Sequence, residues 1–129
     1  MNNKKDLRWC PLWLFIGWMQ VFIVFYLSLM SNPPSVVSFE MADKFHHLLA
    51  YLVLMLWFAQ IYSPQRFKTV AWVLLTMGIL IEILQGQTED RYFEYSDIVA
   101  NSSGVLLGFF LARSPVQYGL VRLEERLFK

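Results

Sequence analysis

Residues 12–30 read LWLFIGWMQVFIVFYLSLM, nineteen consecutive positions without a charged side chain. A helix of that length rises through about 30 Å, the thickness of a bilayer's hydrocarbon core. The run is longer than the 7–15 apolar residues of a signal peptide, and Asn32-Pro33-Pro34 follows it instead of a small-residue cleavage site. It therefore reads as a retained membrane span. The rest of the chain agrees with that reading. Of 129 residues, 57% are hydrophobic and only 16% are charged, against about 25% charged in a soluble domain. Too little polar sequence remains to cover these runs in water.

Three further spans follow, at about 43–62, 67–84 and 97–112, separated by Ser63-Pro64 and closed by Ser114-Pro115. The expected fold is all-α, a polytopic bundle of four transmembrane helices forming a single domain over 1–129. Basic residues orient it. Lys4, Lys5, Arg8, Arg66, Lys68, Arg113, Arg122, Arg126 and Lys129 fall on one side of the bilayer, and Lys44 and Arg91 on the other. The first side is expected to be cytoplasmic, with both termini inside and the loops at about 31–42 and 86–95 outside. In the tail at 113–129, Val116, Leu120, Leu123, Leu127 and Phe128 recur at helical spacing among Arg122, Glu125, Arg126 and Lys129. This pattern predicts an amphipathic helix on the inner membrane surface, its basic side toward anionic lipid.

The net charge of +1 offers no basis for nucleic-acid binding, and membrane lipids are the expected partners. Cys10 is the single cysteine, so no internal disulfide can form, and it reads as a small packing residue. Trp9, Trp13, Trp18, Tyr26, Tyr62 and Trp72 sit mostly near span ends, as an aromatic belt does.

Charges inside spans cost about 2.5–3.5 kcal/mol each on insertion scales, so their placement is informative. Asp43, Lys44, His46 and His47 stand at the outer end of the second span. Glu82 and Gln85 stand at that of the third, and Asp97 and Asn101 at that of the fourth. The loop between the last two holds Glu89, Asp90, Arg91 and Glu94. No equivalent cluster is expected at the inner ends. Asp43, His47 and Tyr51 are four apart and share a helix face, as do Gly78, Glu82 and Gln85. Asp97, Asn101, Gly104 and Gly108 share a third face, with the small residues that let helices approach closely. Glu82, inside an otherwise apolar run, needs a partner on another helix or a proton.

The order Asp43-Lys44-x-x-His47-x-x-x-Tyr51, Glu82-x-x-Gln85, Arg91 and Asp97-x-x-x-Asn101-x-x-Gly104 resembles the VanZ-like family of bacterial membrane proteins, over about 43–112. His46, which doubles the histidine, and the acidic Glu89-Asp90 pair depart from the pattern. The family's founding member is associated with resistance to the glycopeptide teicoplanin. The resemblance implies a cell-envelope role in the bacterial cytoplasmic membrane, and no particular reaction.

Four readings of the cluster remain open. As a structural network, Asp43 and Asp97 would cap helix starts, Lys44 or Arg91 would pair with Glu82, and Tyr51, Gln85 and Asn101 would add interhelical bonds. As a binding site, an outward-facing polar pocket of Asp43, Lys44, His47, Tyr51, Glu82, Gln85, Arg91, Asp97 and Asn101 would hold an anionic lipid or a lipid-linked cell-wall precursor. Its basic side chains would meet phosphate. As an enzyme, Glu82 or Asp97 with His47 would do acid–base chemistry on a lipid-linked phosphoester. Ion or proton transport is disfavoured, because the inner half of each span holds almost no ionisable group. No cofactor is expected. His47, Asp43, Glu82 and Asp97 are chemically suitable metal ligands, but close ligand spacing is missing along the chain and adjacent His46 and His47 point about 100° apart, so no metal is expected either.

Overall fold

The computed structural model describes residues 4–30, 42–88 and 93–128. Asn32, Pro33, Pro34, Glu89, Asp90, Arg91 and Lys129 lie outside them. Five α-helices follow in order: α1 (Cys10–Leu29), α2 (Ala42–Ala59), α3 (Phe67–Gln85), α4 (Tyr95–Leu111) and α5 (Gly119–Leu127). Short 3₁₀ turns at Pro64–Arg66 and Pro115–Tyr118 lead into α3 and α5. Among the described residues there is no strand, only an isolated antiparallel bridge between Lys4 and Tyr62.

Local chemistry explains the helix limits. Pro11 occupies the start of α1, where its missing N–H costs nothing. Ser63-Pro64 and Ser114-Pro115 break the chain between helices, and the Ser114 hydroxyl accepts the Val116 N–H. Asp43 and Asp97 lie in the first turns of α2 and α4, beside the positive ends of those helix dipoles. Two boundaries differ from the sequence expectation. Helix α2 stops at Ala59 instead of running to 62, because the Ala59, Ile61 and Tyr62 carbonyls accept N–H groups of Lys5. Helix α4 starts at Tyr95, two residues early, with Glu94 as its N-cap residue in an extended conformation.

The bundle is built around α2. Tyr51, Leu54 and Met55 on α2, Ile81 on α3 and Val105 on α4 are fully buried. Helices α2 and α4 meet backbone to backbone, since a Cβ at Gly104 would lie 2.2 Å from the Leu48 carbonyl oxygen. Helix α1 packs more loosely, with Gly17 beneath the Phe58 ring. Its outer side carries Phe15, Trp18, Phe22 and Tyr26, each about 60% exposed along one stripe. Trp72 and Phe110 are similarly exposed on α3 and α4. An apolar exterior around a partly polar interior suits lipid and not water. Among the described residues, two segments, Cys10–Leu29 and Pro64–Gln85, are long and apolar enough to cross a membrane. A third exists if α4 and the segment Pro115–Leu127, bent by 79°, count as one broken span. Helix α2 reaches 18 residues but gives its first turns to Asp43, Lys44, His46 and His47.

Candidate functional site

At the end of the bundle where α2 and α4 begin and α3 stops, the polar faces read from the sequence converge. Lys44 of α2 is the hub. Its ammonium donates to the Asp97 carboxylate on α4 and to Glu94 just before α4, and Asp43 lies 3.7 Å away. The Lys44 ammonium holds the Glu94 carboxyl below the usual carboxylate range. One turn along α2, His47 Nδ1 bonds Asn101 Oδ1 at 2.8 Å, and its Nε2 lies 3.8 Å from Asp43. The Asp97 and His47 side chains are largely buried, and Asp43 is half exposed.

Deeper in, Glu82 is fully buried, and its Oε1 accepts the Glu94 N–H at 2.8 Å. His47, Asp97 and Tyr51 are near enough to interact with it electrostatically. Gly78 makes room for this crossing, since a Cβ there would meet Asn101 at 3.2 Å and the Tyr51 ring at 3.4 Å. Gln85 reaches α1 instead, donating to the Ser28 carbonyl at 2.6 Å.

Eight of the nine residues singled out from the sequence therefore stand at one end of the bundle. The ninth, Arg91, is outside the described residues. Of the two partners considered for Glu82, Lys44 is engaged elsewhere and Arg91 lies outside the described residues. Lys44 sits in the first turn of α2, level with the first turn of α4, so it reaches Asp97 and Glu94. Glu82 takes a backbone N–H instead. Glu94, read from the sequence as loop acidity only, ties α2, α3 and α4 together. Its position three residues before Asp97, at a helix start, was the available sign.

Four unpaired polar atoms remain buried around this network: Tyr51 OH, Glu82 Oε2, Gln85 Oε1 and Asn101 Nδ2. The charge balance is acidic, with Asp43, Glu82, Glu94 and Asp97 against Lys44 among the described residues. Asp43, His47 and Asp97 bring potential metal ligands within 4.8 Å of one another. A cation there would have to displace the Lys44 ammonium from Asp97.

The opposite end is not bare, contrary to the sequence expectation. Glu124 of α5 is buried and accepts three bonds, from Arg8 N at 2.6 Å, Trp9 N at 2.8 Å and Trp13 Nε1 at 2.7 Å. It caps α1, whose N-cap residue Trp9 supplies no side-chain acceptor. Gln60 accepts the Leu120 N–H at 3.0 Å. Lys5 Nζ donates to the Ala59 carbonyl and, at 2.7 Å, to that of Tyr62, and burial pushes its pKa down to about 8. Leu120 and Glu124, one turn apart on α5, share the face that docks.

No curated protein and no solved structure matches the chain. A family model described as VanZ/LLP1 matches residues 4–119. That stretch runs from the Lys4–Tyr62 bridge to the start of α5 and holds every residue of the polar cluster. On that match, which leaves out only the first three and last ten residues, the chain belongs to the VanZ/LLP1 family.

Proposed function

We propose that this protein spans the bacterial cytoplasmic membrane four times, with both termini in the cytoplasm and α5 on the inner surface. In this reading its outward polar cluster receives the headgroup of an anionic lipid or lipid-linked cell-wall precursor. The observation that carries the reading is the set of buried polar atoms left unpaired. A network serving only to join helices would satisfy its own members, because each orphaned group costs about 1–3 kcal/mol. Here Tyr51 OH and Asn101 Nδ2 offer donors, while Glu82 Oε2 and Gln85 Oε1 offer acceptors. Together they suit a ligand carrying both hydroxyl or amide hydrogens and acceptor oxygens. Lys44 and Arg91 would meet its phosphate. The acidic surroundings favour a headgroup that adds hydroxyls or an ammonium over a bare phosphate.

Native mass spectrometry in mild detergent tests this. The wild type is expected to retain a phospholipid or polyprenyl-phosphate species that Arg91→Ala and Tyr51→Phe lose. The same adducts on all three proteins, or none on any, would overturn it. A second reading, acid–base chemistry on the bound lipid, is favoured by the proximity of Glu82, Asp97 and His47. It requires in addition that the retained species be converted over time by the wild type and not by Glu82→Gln. Teicoplanin susceptibility with and without these substitutions is the phenotype to score.

A further inference from the structure

A groove of about 440 Å³ opens at the other end of the bundle, where α3 begins and α4 ends. Gln65, Phe67, Lys68, Phe109, Arg113 and Gln117 are among its walls, and no carboxylate is. Two cations therefore face a space without a counter-charge of its own. The Arg113 guanidinium rests against the Phe109 and Phe110 rings, 4.9 and 5.9 Å from their centroids, which limits the poses it must lose on binding. The first turn of α3 borders the groove, and its N-cap residue Arg66 supplies no side-chain acceptor. The positive end of the α3 dipole thus adds to the field of Lys68.

An independent observation points to a ligand. Gln117 is only 8% exposed, and its Oε1 has no hydrogen-bond partner. A buried carboxamide left open in this way stands ready for a polar group. A half-turn about its terminal torsion presents the NH₂ in place of the oxygen.

We propose that this groove is a second ligand site, distinct from the polar cluster, that binds a phosphate-bearing anion. Lys68 and Arg113 neutralise the charge, the guanidinium through paired N–H donors. The Gln117 carboxamide donates the remaining hydrogen bond. The volume exceeds a lone phosphate and accommodates a small group esterified to it. The source is either a phospholipid headgroup or a soluble phosphate compound, since both offer this chemistry.

The test uses the full chain in non-ionic detergent and calorimetric titration with dihexanoyl phosphatidylglycerol, dihexanoyl phosphatidylcholine and inorganic phosphate. Phosphatidylglycerol is expected to bind roughly tenfold more tightly than phosphatidylcholine, whose choline ammonium meets Lys68 and Arg113. The double substitution Lys68→Gln with Arg113→Gln is expected to weaken phosphatidylglycerol binding by roughly tenfold or more, and Gln117→Leu by a smaller factor. Phe15→Leu, on the exposed outer side of α1 and in neither site, should leave it unchanged. Lys68 and Arg113 are exposed, so their substitution leaves the fold intact, as a melting curve will verify. Competition by inorganic phosphate assigns the site to soluble anions, and its absence assigns it to a lipid headgroup. Either result upholds the site. Equal affinity for the two lipids, or undiminished phosphatidylglycerol binding in the double variant, overturns it.

Discussion

Replacing Glu124 by alanine is expected to release α5 from the start of α1. The carboxylate accepts the Arg8 and Trp9 backbone N–H groups and the Trp13 indole N–H. Bonds to a charged acceptor are worth about 1.5–3 kcal/mol each, but the three do not simply add. Arg8 and Trp9 are exposed, so their N–H groups turn to water when the carboxylate goes. Trp13 is 8% exposed, and its indole N–H would stay buried without an acceptor. That orphan costs about 1–3 kcal/mol, and the two lost caps bring the expected destabilisation to about 2–4 kcal/mol. Thermal unfolding in detergent measures the loss, and limited trypsin digestion at Arg122 and Arg126 reports the release of α5. Glu124→Gln keeps one acceptor oxygen and should lose about half as much.

The same site predicts a pH dependence. Burial alone would raise the Glu124 pKa, but the Trp13, Trp9 and Arg8 donors outweigh it and hold the carboxyl below its ordinary 4.5. A depressed folded-state pKa contributes stability in full above the unfolded value and loses it as pH falls through the folded one. The gap between wild type and Glu124→Gln should therefore be constant near neutrality and close below about pH 4.5. A Glu124→Ala protein within about 0.5 kcal/mol of wild type, with an unchanged tryptic pattern, would refute the reasoning.

Two further outcomes are expected. Gly104→Ala places a Cβ 2.2 Å from the Leu48 carbonyl oxygen, which only separation of α2 from α4 relieves. It should cost about 3 kcal/mol or prevent folding, whereas the Gly17→Ala methyl meets side chains and no backbone, the Phe58 ring at 2.9 Å and the Trp57 indole at 3.0 Å, and should cost less; equal melting temperatures would contradict this. Lys44→Met removes the ammonium shared by Glu94 and the buried Asp97. A loss of about 3 kcal/mol is expected, less than a fully buried pair would give because Lys44 is 20% exposed. Adding Asp97→Asn should restore most of it, and a double-mutant cycle showing no coupling would count against the pairing.

What the sequence by itself determined was the class of the protein and which faces of which helices are polar. Uncharged runs long enough for a bilayer, with few charges to spend elsewhere, admit little but a helical membrane protein. A period of 3.6 aligns Asp43 with His47 and Tyr51, and Asp97 with Asn101, whatever the neighbours are. Partner choice was a matter for the tertiary structure. Periodicity assigns a residue to a face but not to a depth relative to another helix, and it is that depth that gives Lys44 to Asp97 and not to Glu82. Glu94 and Glu124 look like solvated loop and tail acids in one dimension. Both become structural because a donor from far along the chain reaches each carboxylate, the Lys44 ammonium for Glu94 and the Arg8 N–H for Glu124. The end of α2 was likewise hidden, since Lys5, more than fifty residues earlier, competes for its last carbonyls. Local propensity is written residue by residue, whereas hydrogen bonds across the bundle depend on where the helices come to rest.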